Sequence, residues 1–239
     1  MKINYNYIKI IGLLILVGFL YAFSQQRNTV RKVSEPRIKF LGDNSLFITE
    51  ANVSKLLIQN QRSVAEQPKE IIDLNELENA LNSNPMIRKA EVFMSVNGEL
   101  SAEIEQKRPI ARVSTTASYY IDDDGSYMPL SSNYSARVPL VTGKVNKNDL
   151  SRVFTFAKAV DGDEFLKKHV IEIRQNDDNT IDFKIRKSDF TVHLGTLELL
   201  QKKINNFKVF YIKALKDQIL DHYTLVNLKF DKQVICTKK

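Results

Sequence analysis

The stretch from Ile8 to Phe23 reads IKIIGLLILVGFLYAF, apolar at every position but Lys9, and it limits the fold more than any other part of the chain. Extended back to Tyr5 it covers about 19 residues, roughly 28 Å as a helix, close to the roughly 30 Å hydrocarbon core of a bilayer. Tyr5, Tyr7 and Tyr21 fall where interfacial aromatic rings sit, and Lys9 can reach the headgroups along its apolar stem. Residues 8–24 are therefore expected to form a transmembrane helix, with residues 1–7 as a cytoplasmic tail and everything after residue 25 exported. A cleaved signal peptide stands beside this reading, because Ala22-Phe23-Ser24 has the small-x-small shape of a cleavage site. Charge does not choose between orientations. Lys2 and Lys9 precede the segment, and Arg27, Arg31 and Lys32 come after it.

The chain as a whole has the composition of a globular protein, with 43% hydrophobic and 26% charged residues. One cysteine, Cys236, excludes an internal disulfide, and with three scattered histidines it excludes a thiolate-based zinc site. The net charge of +7 is concentrated late: from Leu200 onward there are nine Lys and three Asp, 9 − 3 = +6. Such a basic end reads either as a surface for an acidic partner or anionic lipid, or as a solvated helix face.

Residues 25–36 are polar and end in Pro36, a juxtamembrane linker. Arg37–Leu41 reads as a short strand closed by Gly42, and Thr49 as the N-cap of a helix carrying Val53, Leu56 and Leu57 inward. Residues 60–72 read as a loop. Asp73 caps a second helix with Leu74, Leu77 and Leu81 on one face, stopped at Asn84-Pro85. Ala90, Val92, Met94 and Val96 alternate with polar neighbours, as do Leu100, Ala102 and Ile104, with Asn97-Gly98 expected as the two positive-φ residues of the hairpin turn. The result is a strand–helix–helix–strand–strand unit over residues 37–109.

Residues 110–239 turn to strands. Asp122-Asp123-Asp124-Gly125 resembles a calcium loop only superficially, since Tyr120 and Ser131 occupy ligand positions, and a tight hairpin turn is expected instead. Asn148 or Asp149 caps a helix with Leu150, Val153, Phe154 and Ala157 on one face. Val170–Arg174 and Ile181–Ile185 read as strands around the turn Asn176-Asp177-Asp178-Asn179. A third strand faces Phe190, Val192 and Leu194 inward and leaves His193 exposed, without a titratable partner. Thr196 is expected to cap the longest soluble helix, with Leu197, Leu200, Ile204, Phe207, Tyr211 and Leu215 along its apolar stripe. The last strand places Val226, Leu228 and Phe230 on one face, and Gln233-Val234-Ile235-Cys236 forms a short return. No nucleophile elbow, phosphate-cradling glycine loop or paired histidines occur, and Cys236 has no local base, so no catalytic residue, metal or cofactor is expected. Nucleic acid is not expected as a partner either, because the basic residues lie in an exported domain without an aromatic-interleaved platform.

Several words of this sequence resemble the FtsQ/DivIB family of bacterial division proteins and its POTRA domain. They are KFLG (39–42), FITEANV (47–53), the Asp-Leu-x-x-Leu helix start (73–77), NPMIRKAEV (84–92) and EQKRPIARV (105–113), the last similar to an E-x-x-P-x-A junction. YYIDDDGSYMPLS, VPLVTG and LVNLKF are similar to later words of that family, the last departing from its VDLRY at Asn227 and Phe230. The resemblance implies an α+β fold: an N-terminal transmembrane helix, a β-α-α-β-β POTRA domain, and a mixed, β-rich domain with a long helix and a C-terminal edge strand. It further implies a non-enzymatic, single-pass scaffold of the division complex, in the inner membrane at the septum, with a cytoplasmic N-terminus and periplasmic domains. Its partners would be the small coiled-coil division proteins FtsB and FtsL, or their DivIC-type counterparts, through which it regulates septal wall synthesis. The physical mechanism expected is addition of a partner strand to an open sheet edge at Val226, Asn227, Leu228, Lys229 and Phe230, with Val234 beside them and Lys229 standing for the family's Arg. Core packing is the plainer role for the same residues. An outer-membrane assembly or transport factor with a POTRA unit, and a secreted wall-binding module, are the alternatives.

Overall fold

The computed structural model describes residues 5–29, 36–42, 46–59 and 72–239. The loop expected over 60–72 lies outside them except for its last residue. Helix α1 spans Tyr5–Thr29, longer at both ends than the expected 8–24, because Gln25, Gln26 and Arg27 are good helix formers and no breaker interrupts them. Its Lys9–Gln26 segment has a mean hydropathy of 1.5 and apolar side chains exposed along its length, which supports a single-pass membrane anchor.

The chain divides into two compact units after Gln106, earlier than the expected boundary at 109/110, since Pro109 already opens the first strand of the second unit. In the first unit, β1 (Arg37–Leu41), α2 (Glu50–Gln59), α3 (Leu74–Asn82), β2 (Ile87–Met94) and β3 (Leu100–Gln106) build a sheet of order β1-β3-β2. β1 runs parallel to β3 and β2 antiparallel to it. Strand alternation sends Leu100, Ala102 and Ile104 to one side, where they meet Val53 and Leu57 of α2 and Leu77 and Leu81 of α3. Each fully buried Leu or Ile there contributes about 2 kcal/mol by burial. Asp73 caps α3 as expected, its Oδ1 accepting from the Asn75 and Glu76 N–H groups at 2.9 and 3.2 Å. The β2–β3 turn differs from expectation. Asn97 keeps a negative φ and only Gly98 is positive, at 87°, with the Gly98 N–H donating to the Ser95 carbonyl at 3.0 Å. A three-residue loop, Val96-Asn97-Gly98, therefore replaces the two-residue turn, and Val96 lies in the loop instead of the strand. Gln106, which sequence patterning overlooks, is 5% exposed: its amide accepts from the Phe47 and Ile48 N–H groups and donates to the Ile48 carbonyl, fastening the approach to α2.

The second unit holds one nine-stranded sheet of order β12-β11-β10-β9-β8-β7-β4-β5-β6. Its strands are β4 (Pro109–Ser114), β5 (Ser118–Asp122), β6 (Tyr127–Met128), β7 (Leu140–Gly143), β8 (Val170–Gln175), β9 (Ile181–Ile185), β10 (Thr191–Gly195), β11 (Tyr223–Asn227) and β12 (Ile235–Lys238). Helices α4 (Ser151–Asp161), α5 (Glu164–His169) and α6 (Leu200–Lys216) share one apolar core with these strands. The acidic run is a turn: Asp122 is fully buried, its Oδ1 accepts from the Asp124 and Ser126 N–H groups at 3.1 and 2.7 Å, and Lys107 pairs with Oδ2 at 2.8 Å. Gly143 ends β7 with φ of 86°, and a Cβ there would stand 2.1 Å from the Gln175 carbonyl oxygen, so no other residue fits. The Arg108 guanidinium donates to both oxygens of Asp161, at 3.1 and 2.8 Å, and this bond holds the Asp161 carboxyl below its ordinary pKa.

Two helix starts depart from expectation. α4 has Leu150 at its N-cap without a side-chain bond, while Asp149 accepts instead from the Ser151 N–H and hydroxyl, and Phe156 is buried in the place expected for Phe154. α6 begins at Leu200, because Gly195 and Leu199, at φ of 74° and 53°, reverse the chain after β10. Thr196 thus caps nothing; its carbonyl accepts from the buried Lys203 ammonium at 2.7 Å. At the far end Ala214 is buried and Leu215 is 55% exposed.

Candidate functional site

The C-terminal sheet margin is where the expected partner-binding residues fall, and the strand order changes what they can do. β11 pairs parallel with β10, Val192 opposite Val226 and His193 opposite Asn227. On its other side β11 pairs antiparallel with β12, Val226 opposite Cys236 and Asn227 opposite Ile235. β11 thus has a hydrogen-bonded neighbour on each side, Val226 bonding toward β10 and Asn227 toward β12, and the open edge expected at Val226–Phe230 is not there. The outermost strand is β12. The reason is topological: after Asn227 the chain leaves the sheet and returns outside its own last strand.

Residues 228–230 make that exit. The Leu228 N–H still reaches the His193 carbonyl at 2.8 Å, and its side chain is buried. The Asn227 side chain then accepts from the Lys229 N–H at 2.9 Å, a short polar turn that breaks the strand. Phe230 is 43% exposed instead of alternating inward. The Lys229 ammonium is exposed, with no hydrogen bond or ion pair among the described residues. Val234 is half-buried and packs on the core beside α6.

Bond parity tells which groups of β12 are free to pair. The Leu228 N–H points to β10, so the groups of Val226, two residues earlier, point the same way and leave Cys236, directly opposite, unbonded by β11. Consistently, the Lys239 N–H donates inward to the His222 carbonyl at 2.8 Å, which by alternation also turns Lys238 outward and Thr237 inward. Cys236 and Lys238 therefore carry the outward backbone groups of the margin. The Cys236 thiol is half-buried on the α6 side, and burial pushes its pKa up, which keeps it protonated.

Beside this edge runs a groove of about 530 Å³ between α6 and the last two strands, lined by Phe210, Lys213, Asp217, Tyr223, Val234 and Cys236 among others. Phe210 and Lys213 fall outside the apolar stripe that sequence patterning traces on this helix, and the final strand reads there only as a return. The signal is present in the order of elements, since a return strand after the last paired strand becomes the outermost one.

His193 is the second correction. It is half-buried, and its Nδ1 lies 2.6 Å from Asp182 Oδ1, its cross-strand neighbour on β9. The sequence leaves it exposed and alone because strand partners are not visible in residue spacing. Among the described residues no group of three or more His, Cys, Asp or Glu is arranged to hold a metal ion.

Residues 108–237 match the family described as FtsQ/DivIB, C-terminal related, and residues 42–105 match a POTRA-like domain. No curated protein matches the chain.

Proposed function

Because the chain belongs to the FtsQ/DivIB family, whose C-terminal domain covers residues 108–237, we propose that it recruits and regulates septal wall-synthesis proteins by lending the β12 edge to a partner strand. Its two domains are those of a division-associated scaffold, behind an apolar helix suited to a single membrane pass. In this reading α1 crosses the inner membrane with its N-terminus in the cytoplasm, and both units work in the periplasm at the septum. The chain acts without catalysis. The partner is the small coiled-coil pair FtsB and FtsL, or its DivIC-type counterpart.

The single observation behind the reading is the outward backbone of Cys236 and Lys238 on a terminal strand that nothing in the chain covers among the described residues. An unpaired strand margin binds another chain through main-chain hydrogen bonds, with side-chain pockets supplying choice. The residues of the preceding strand and turn keep indirect roles: Val226 and Leu228 hold β11 in the core, Asn227 turns the chain, and Lys229, Phe230 and Val234 flank the margin.

The test is capture of the coiled-coil pair by the full chain from detergent-solubilised membranes, comparing wild type with Cys236→Pro. Proline is tolerated on an edge strand where its missing N–H faced solvent, yet it blocks pairing on that side. Capture should fall to background while the near-ultraviolet circular dichroism of the chain stays unchanged. Full capture by the folded variant contradicts the reading.

A further inference from the structure

We propose that the β2–β3 hairpin tip docks on the bilayer: Val96 and Phe93 enter the interfacial layer of the leaflet from which α1 emerges. The inference goes beyond the strand-addition reading and requires only the membrane pass of α1. The Lys9–Gln26 segment is about 27 Å long as a helix, so Thr29 ends α1 close to the headgroups. Residues 30–36 are all that join it to Arg37, the first residue of β1. At no more than about 3.6 Å per residue, Arg37 stays within about 29 Å of the helix end. Strand register then fixes which end of the first unit the chain enters. Arg37 stands opposite Ser101 of β3, and Ser101 opposite Phe93 of β2, in one row across the sheet. β1 and β3 run the same way, so the loop before β3 projects past the start of β1. At about 3.3 Å per residue, Gly98 reaches about 10 Å beyond that row, at the end where the chain arrives from the membrane.

Exposure and charge agree with that placement. Val96 is 81% and Phe93 48% exposed, Phe93 on the sheet face away from α2 and α3. Single exposed apolar residues are ordinary on a soluble surface, and Leu41 is 40% exposed as well. Leu41, however, faces Glu105 at the other end of β1, away from the anchor. Ser95, Val96, Asn97 and Gly98 carry no charge, and the lysines of these strands are matched: Lys39 pairs with Glu103 and Lys89 with Glu91. A neutral apolar tip has nothing to attract an acidic protein or polymer, and it suits the zwitterionic interface of a bilayer. Arg37, exposed at the same end, can lay its stem on the membrane and its guanidinium on a lipid phosphate. Two side chains bind a membrane feebly by themselves; the α1 tether makes the contact intramolecular and so effective. Docking there sets how the first unit stands on the leaflet.

The experiment uses the full chain reconstituted in phosphatidylcholine vesicles, with or without lipids brominated along the acyl chain. The sequence holds no tryptophan, so Val96→Trp and Leu41→Trp each introduce a single reporter at an exposed site. Brominated lipid should lower the emission of the Val96→Trp chain about twofold, as for an interfacial ring, and leave that of Leu41→Trp unchanged. Adding Phe93→Asp to Val96→Trp should restore the emission, whereas high salt should not, because no charge pair holds the tip. Emission of the Val96→Trp chain that brominated lipid leaves unchanged overturns the proposal. So does equal quenching in both variants, which would report tryptophan's own affinity for lipid, or quenching that Phe93→Asp does not relieve. A blue-shifted emission without quenching places the tip against protein and overturns it too. Flotation of the vesicles after alkaline extraction separates the premises. A chain that fails to float rejects the membrane pass of α1 and the docking with it, whereas a floating chain with unquenched emission rejects the docking alone.

Discussion

The two sheets of this chain end in opposite ways. In the first unit the outer strand β2 is sealed by its own helix: Asn82 of α3 donates to the Ala90 carbonyl at 3.2 Å and accepts from the Ala90 N–H at 2.8 Å. Glu78, one turn earlier, accepts from the Val92 N–H at 3.1 Å. One asparagine amide thus makes the two bonds a neighbouring strand would make, and a carboxylate takes the next outward donor. In the second unit, β12 has no such cover on its outward groups at Cys236 and Lys238 among the described residues. Exposed strand margins invite unwanted pairing, and proteins usually blunt them. One margin of this chain is blocked by dedicated side chains and the other is left open and ringed with lysine, the contrast on which the proposed docking edge rests.

The same substitution on both margins should break or uphold this contrast most visibly. Ala90→Pro removes an N–H that Asn82 needs and forces a ring into a site that is 1% exposed, so the first unit should lose about 3 kcal/mol or more. Cys236→Pro should cost well under about 1 kcal/mol, because its N–H faces solvent. Urea unfolding followed by domain-resolved proteolysis measures both. Similar losses would mean that β12 is covered as fully as β2. Next in size is Asn82→Ala, which leaves the buried N–H and carbonyl of Ala90 unsatisfied and should cost the first unit about 1–3 kcal/mol. Glu78→Ala, which orphans one donor, should cost about 1 kcal/mol, and Glu78→Gln, which keeps an acceptor, should cost less.

The smallest effect is electrostatic and belongs to the second unit. The Asp161 carboxyl is held down chiefly by its bond from Arg108, and Asp163 is held down by Lys208 and the Leu166 N–H against the opposing push of burial. A depressed carboxyl stabilises the folded state above its unfolded pKa of about 4 and loses that contribution as pH falls through the lower folded value. Unfolding midpoints of the second unit should therefore decline below about pH 4, and Arg108→Gln should flatten that decline. An unaltered acid limb in the variant would remove Arg108 from the account.

Much of this architecture is legible from local pattern. The strand at Ile181–Ile185 has the limits its alternation predicts, and the Asp73 cap and the inward sets of α2 and α3 follow from spacing that a helix or strand must obey. What escapes is non-local or too short to have a period. α5 is six residues long, less than two turns, so EFLKKH shows no apolar stripe. The start of α6 is displaced because Leu199 takes a left-handed conformation that its side chain does not advertise. The outermost strand differs from the expected one by a single place because alternation in Val226, Leu228 and Phe230 looks the same in an inner strand and an outer one. Only the pairing of β11 with both β10 and β12 distinguishes them.

Residue-resolved amide exchange on the full chain, free and bound to its coiled-coil partner, tests the docking edge most directly. In the free chain the Cys236 and Lys238 amides should exchange fast while Thr237 and Lys239, turned toward β11, exchange slowly; partner binding should slow the first pair. Protection of Cys236 and Lys238 before any partner is added, or fast exchange that persists in the complex, would contradict strand addition at this edge.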